Sequence, residues 1–388
     1  MAAVSDEYML PEDYTFSVPI DTKENETNAL PNTIKTLLGG EYKDIADFKI
    51  VQISGGITNR LYRVQPNLSE KHDKNEKALI PSVIIRIYGD NTELLINRET
   101  DVQNFKEMSR LNFGVKLLAL FANGRIEEDF YNCITLEPGD LSNPIYSKII
   151  AKKLCEMNLL NIDNINNDNK EPILFKTLYN WCNVAEQINW GKDFNKQERV
   201  EKMSLSNKIR AEIEWLSELL NQTDSPIVFA HNDLLSGNIL YRQEDEQLVF
   251  VDYEYGGWNY RGFDIGNHFC EYAGFDYSKF EDVYPDKGTQ IVFLKAYLEE
   301  EYKIKHRGEE NLESNCQAFV ESDTFDHCVD KMYTEVNRYA LASHMFWGIW
   351  GIIQAKHSKI DFDFLKYGEE RIAAYYISKR KLKEDGLL

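Results

Sequence analysis

Apolar and polar positions alternate from Phe48 to Ser54 (FKIVQIS), the period of a strand with one face in a core. The run Gly55-Gly56-Ile57-Thr58-Asn59 then reads as a turn into a second strand over Arg60 to Gln65. A charged insert ending at Lys77 (SEKHDKNEK) reads as a solvated loop, and the nearly all-apolar Ser82 to Tyr88 predicts a third strand. Arg98 to Leu111 has a helical pattern, and strands over Lys116 to Ala122 and Phe130 to Glu137 are expected to flank the hairpin signal Asn123-Gly124. The pattern breaks at Glu137-Pro138-Gly139-Asp140, where a hinge between two lobes is placed. From Tyr146 the period turns helical, over Ser147 to Leu160, Leu174 to Ile188 and Glu198 to Asn221. Nearer the start, Pro31 is expected to open a short helix that Gly39-Gly40 stops. Residues 1–28 are acidic and aperiodic and predict a tail, and the Asn-rich run Asn161 to Lys170 predicts a surface insertion.

The stretch from Phe229 to Ser278 carries the chemistry. Ile227, Val228 and Phe229 lead into His231-Asn232-Asp233, and Asn238 stands five positions after Asp233. Two β-rich segments, Asn238 to Tyr241 and Leu248 to Val251, are joined by the polar turn Gln243 to Gln247 and deliver Asp252 and Glu254. H-x-D-x4-N followed by an Asp after a hairpin is the layout of a kinase phosphotransfer site. Phosphoryl transfer needs an in-line hydroxyl, a base or orienter beside it (Asp233) and Mg2+ to neutralise the phosphates. The Asn238 amide oxygen and the Asp252 carboxylate are hard ligands suited to that ion, with Glu254 as a further candidate. Any one of these residues alone would read as a turn cap; the ordered set does not.

Composition narrows the partners. Forty-four basic against 64 acidic residues give a net charge of −20, which argues against nucleic acid or an anionic membrane. The six cysteines show no metal-ligand spacing, and the first residues lack a signal-peptide pattern, so a cytoplasmic protein with reduced thiols is expected. The weakly charged run Ala340 to Ala355 falls short of the roughly 20 residues a bilayer requires and predicts a buried helix.

HNDLLSGNIL followed by VDYEYGGWNYRGFDIGNHFCEYAGF resembles the choline/ethanolamine kinase family, and the likeness runs from about Ile53 onwards. Leu235 and Glu271-Tyr272-Ala273-Gly274 resemble the ethanolamine branch, whereas YYISKRKL near the end resembles choline kinases. The resemblance implies an α+β, protein-kinase-like fold of two lobes, with an N-lobe over residues 29–137 and a C-lobe over 138–388. It also implies that Gly55, Gly56, Thr58 and Asn59 cover the ATP phosphates. Arg86 would clamp phosphate with Glu99 as its carboxylate partner, since an unpaired buried cation is costly. Asp264 and His231 are expected to brace the catalytic loop, and His268 to be a core histidine. In the same family a W-x-x-W pair and two tyrosines cage the amine; these map to Trp347, Trp350, Tyr367 and Tyr277, with Glu271 as a counter-charge.

The implied reaction is phosphorylation of ethanolamine by ATP, the first step of an amino-alcohol route to phospholipid. Choline remains open as a substrate, because an aromatic cage suits a quaternary ammonium while a primary ammonium prefers oxygen acceptors. An inactive kinase-like binding module would lack a base or metal residue, and none is missing. The sequence leaves open whether the chain forms a homodimer.

Overall fold

Five antiparallel strands build the sheet of the first unit, in the order β1-β2-β3-β5-β4: β1 Phe48–Ile53, β2 Asn59–Pro66, β3 Val83–Tyr88, β4 Leu117–Phe121 and β5 Gly124–Glu128. The structure is a computed structural model that describes residues 18, 23–53, 59–67, 80–89, 95–162 and 170–388. The chain divides into two compact units, residues 1–94 with 105–133, and residues 95–104 with 134–388. Helix α1 (Lys23–Leu37) packs Leu30 and Ile34 into a core with Tyr62, Val64, Ile85 and Ile126.

Three expectations shift here. Pro31 lies inside α1 rather than opening it, and the helix still ends before Gly39 and Gly40, both at positive φ. The expected tail is tied down at Val18, which is buried in this core and exchanges two hydrogen bonds of 2.9 Å with the Asn123 side chain. The hairpin partner expected over 130–137 instead begins at Gly124, because Phe121 pairs directly with Gly124 and Ala122-Asn123 is the two-residue turn; only Ile134–Thr135 of the expected range is a strand. Gly55, Gly56 and Thr58 lie outside the described residues.

The second unit is mostly helical. Helix α2 (Arg98–Arg110) contributes its first half to it, followed by β6 Ile134–Thr135, α3 Pro144–Asn158, α4 Leu174–Glu186, α5 Phe194–Met203 and α6 Arg210–Asn221. Two short antiparallel sheets come next, β7 (Ile227–Ala230) with β10 (Gly257–Tyr260), and β6 with β8 (Ile239–Arg242) and β9 (Gln247–Phe250). Helices α7 Arg261–Cys270, α8 Phe280–Val283, α9 Lys287–Lys305, α10 Leu312–Val320, α11 Asp323–His357 and α12 Phe364–Glu384 complete it. The single helix expected over 198–221 is broken at Ser204, which takes φ 54°.

The run expected as a buried helix is the inner part of α11, and nearly every side chain from Val336 to Gln354 is buried. A helix apolar on all sides belongs at the centre of a bundle. Its backbone meets α12 closely: a Cβ on Gly351 would lie 2.8 Å from the Phe364 carbonyl oxygen, and one on Gly368 would lie 2.8 Å from that of Gly348. That approach brings Trp350 of α11 up to Tyr367. Among the described residues no helix is long and apolar enough to cross a membrane.

Candidate active site

The loop from His231 to Asn238 leaves β7, turns, and enters β8 (IVFA to ILYR). It is held from beneath by Asp264, in the first turn of α7, whose carboxylate accepts the backbone N–H of His231 (3.1 Å) and of Asn232 (2.8 Å). Asn158 of α3 donates to the same carboxylate at 2.9 Å and is itself held by the Tyr297 hydroxyl. Burial pushes Asp264 up to about 6, opposed by these three donors. Asn232 sits at φ 64°, a conformation Asn tolerates, with its side chain donating to the Tyr255 carbonyl and accepting from Asn259. His231 Nε2 lies 3.1 Å from the Val251 carbonyl oxygen, so this nitrogen carries the proton, and burial pushes its pKa down to about 4. His268 likewise donates from Nδ1 to the Leu234 carbonyl at 2.9 Å and is lowered by burial to about 4. Both histidines are neutral struts of the loop near neutral pH.

Asn238 donates from Nδ2 to the Asp233 carbonyl oxygen at 2.8 Å and to its Oδ2 at 3.4 Å. The amide N–H groups are thus committed within the loop, and the amide oxygen remains for another partner. Pairing of Ile239 with Phe250, and a bond from Val251 N to the Asn238 carbonyl (3.0 Å), fold the strand ends together. Asp252 follows at φ 70°, a second strained backbone in this region. Asp233 is half-buried; burial first, then the charges of Glu271, Asp252 and Glu254, push its carboxyl well above the ordinary range.

Mg2+ is bound by one or two carboxylates with substrate phosphates rather than by an all-protein cage. No group of three or more His, Cys, Asp or Glu side chains forms such a cage among the described residues. An amide oxygen and crowded carboxylates whose mutual repulsion a dication relieves fit that ion. Glu254 is already engaged, since Arg98 Nη1 in α2 reaches its Oε2 at 3.4 Å and Asp101 at 3.2 Å. One turn along α2, Asn104 donates to the carbonyls of Tyr253 (3.1 Å) and Gly256 (2.7 Å), fixing the segment that carries Asp252 and Glu254.

The four expected aromatic residues come together. Trp347 and Trp350 lie 5.5 Å apart, Trp350 and Tyr367 6.0 Å, and Tyr367 and Tyr277 5.6 Å, and all four are buried. Three of the four polar tips are occupied: Trp347 Nε1 donates to Asn267 (2.7 Å), Trp350 Nε1 to the Tyr255 hydroxyl (2.9 Å), and the Tyr277 hydroxyl to the Cys270 carbonyl (2.9 Å). Glu271, expected as a counter-charge, already receives a donor of its own, because Arg371 of α12 donates to its Oε1 at 3.1 Å. Burial raises the Glu271 carboxyl, and Arg371 opposes that shift.

In the first unit, Asn59 is buried on β2, and Arg86 donates to Glu127 (2.8 Å) on the neighbouring strand β5. This corrects the expected Arg86–Glu99 pair; Glu99 is exposed and belongs to the other unit. Arg125 shares Glu127 at 2.6 Å, leaving two guanidinium groups on one carboxylate. Burial alone would raise Glu127, but the two cations outweigh it and hold it below the usual range.

Sequence reading missed Arg371, Tyr255, Asn104, Arg125 and Glu127. Arg371 stands one helical turn after Tyr367, so α12 periodicity could have placed it on the cage side. The alternation R-I-E in β5 puts Arg125 and Glu127 on one face, a signal lost with the misplaced strand.

A strand-built unit, a helical unit, and a loop pairing an aspartate with Asn238 beneath a hairpin carboxylate define a phosphotransferase of the protein-kinase-like fold. The choline/ethanolamine kinase family profile matches residues 50–376. A probable ethanolamine kinase of Arabidopsis thaliana is 39% identical over 322 residues, 82% of this chain and 76% of the relative. A probable choline kinase of the same plant is 32% identical over 92% of this chain and 95% of its own length. Among solved structures, the ethanolamine kinase of Plasmodium vivax superimposes with a TM-score of 0.74 at 26% identity, covering 92% of this chain and 89% of that one. This chain belongs to the choline/ethanolamine kinase family.

Proposed function

We propose that this chain is an ethanolamine kinase, transferring the γ-phosphoryl group of ATP to the ethanolamine hydroxyl to give phosphoethanolamine and ADP. The observation that carries this reading is the Asp233–Asn238 loop in one unit with four buried rings, Trp347, Trp350, Tyr367 and Tyr277, beside which Arg371 holds the Glu271 carboxylate. Ethanolamine carries its hydroxyl and ammonium two carbons apart, so a base and an acidic amine site must be close neighbours. Relatives named ethanolamine kinase support the same substrate.

Asp233 orients the hydroxyl and accepts its proton, a role suited to a carboxyl raised by its surroundings. Asn238 and Asp252 would hold Mg2+, with Glu254 behind them on Arg98. When bound, that ion supplies neutralisation of the phosphate charge. Arg86 and Asn59 are assigned to the nucleotide phosphates, and Trp347, Trp350, Tyr367 and Tyr277 to excluding water from the amine. The product's place at the start of an amino-alcohol route to phospholipid follows from the substrate.

The second reading, a choline kinase, is favoured by four buried rings around the amine site. Release of ADP from ATP with ethanolamine or choline, each at the same low concentration, separates the two. Ethanolamine turnover at least about tenfold faster, ~1.4 kcal/mol of discrimination, supports the proposal, and equal or faster choline turnover contradicts it.

A further inference from the structure

Arg371 is wholly buried one helical turn beyond Tyr367, and no functional role for it follows from the catalytic loop. Its Nη1 donates to Glu271 Oε1 (3.1 Å) and to the Tyr277 hydroxyl, and its Nη2 donates to the Ser343 carbonyl (2.9 Å) and Oγ (2.7 Å). The guanidinium lies 4.4 Å from the Tyr277 ring centre and 5.9 Å from that of Tyr367. A permanent cation therefore rests against two of the four cage rings. Its repulsion opposes any ammonium in the cage, and quaternary and primary amines feel it alike.

The difference lies in Glu271. Arg371 donates to Oε1, and the only other donor that acts on this carboxylate among the described residues is the Tyr277 hydroxyl, itself committed to the Cys270 carbonyl. Ser343 is itself fixed, donating to Asn267 Oδ1 at 2.7 Å, the atom that also accepts Trp347 Nε1. Guanidinium, carboxylate and tryptophan are thus locked in one frame. A primary ammonium satisfies a lone acceptor in that frame, whereas three methyl groups cover it and leave it unpaired. Sites built to receive an N–H reject analogues lacking it more strongly than apolar pockets reject extra bulk.

We infer that Arg371 is a specificity-determining positioning residue, clamping one oxygen of Glu271 so that the other meets the substrate's N–H. The inference rests on the ethanolamine kinase reading and deepens it.

The test is kcat and KM of the purified full chain for ethanolamine and for choline, in wild type, Arg371→Met and Arg371→Lys. In Arg371→Met the ratio of kcat/KM for ethanolamine over choline is expected to fall at least tenfold, chiefly through the ethanolamine KM, with the KM for ATP within threefold. Arg371→Lys is expected to recover part of the ratio, because it restores the charge to Glu271. Equal losses for both amines would mean a purely structural role and would overturn the inference. If thermal unfolding shows that Arg371→Met does not fold, Arg371→Lys and the isosteric Glu271→Gln read the same ratio, and no change in either overturns it. A wild-type chain inactive with ethanolamine would overturn both the inference and the proposed function; an active one with an unmoved ratio overturns the inference alone.

Discussion

Asp233 and His268 show how burial assigns opposite tasks to titratable side chains in one loop region. Burial and three neighbouring carboxylates raise the Asp233 carboxyl above the ordinary range. Asp233→Asn keeps the shape but cannot take the proton, so turnover is expected to drop by about 10²–10⁴-fold, while ATP affinity measured by calorimetry stays within threefold. His268 is lowered to about 4 against an ordinary 6.5, so the unfolded chain binds the proton more readily between those values. Its contribution to stability is present above pH 6.5 and is lost as pH falls towards 4, by roughly 3 kcal/mol in all. Denaturant unfolding at pH 7 and pH 5 should therefore show a shallower pH slope in His268→Gln than in wild type. An unchanged slope would mean that His268 is not the buried neutral group described.

At the scale of elements, the first half of α2 and the α11–α12 pair place the chemistry. Asn104 links α2 to the segment carrying Asp252 and Glu254 through two carbonyls, and its replacement by Ala strands buried acceptors. Asn104→Ala should cost about 1–3 kcal/mol in denaturant melts and raise the Mg2+ concentration needed for half-maximal rate. Gly351 allows the close approach of α11 to α12; a methyl there would press on the Phe364 carbonyl and the Gly368 backbone. Gly351→Ala should lose about 1–3 kcal/mol and raise the KM for the amine more than that for ATP, because it pushes Trp350 and Tyr367 apart. Equal changes in the two KM values would argue against this picture.

Those elements also show what the sequence could reveal. Strands β1 to β3 and the loop from His231 to Asn238 were legible because strand alternation and the H-x-D-x4-N spacing are local. Pro31 inside α1 and the start of β5 at Gly124 were not, since tertiary packing overrode the local turn and breaker signals. The partner of Arg86 was misread for a related reason: Glu127 faces it across a strand pairing whose register the sequence did not disclose. The Arg371 network joins residues 271, 277, 343 and 371, and no local pattern points to such a set.

At the scale of the molecule, a chain of net charge −20 binds one cationic substrate and one strongly anionic one. The first unit buries two guanidinium groups, Arg86 and Arg125, on one carboxylate, Glu127. In the second unit Glu271, Asp252 and Glu254 all raise the Asp233 carboxyl. The proposed reaction is a single phosphoryl transfer, and the most direct test follows the phosphorus. In 31P NMR of the protein with ATP, Mg2+ and ethanolamine, the account predicts a phosphomonoester signal matching authentic phosphoethanolamine, growing in step with ADP and absent with Asp233→Asn. ATP that persists unchanged, or ADP that appears with inorganic phosphate and no phosphomonoester, would contradict it.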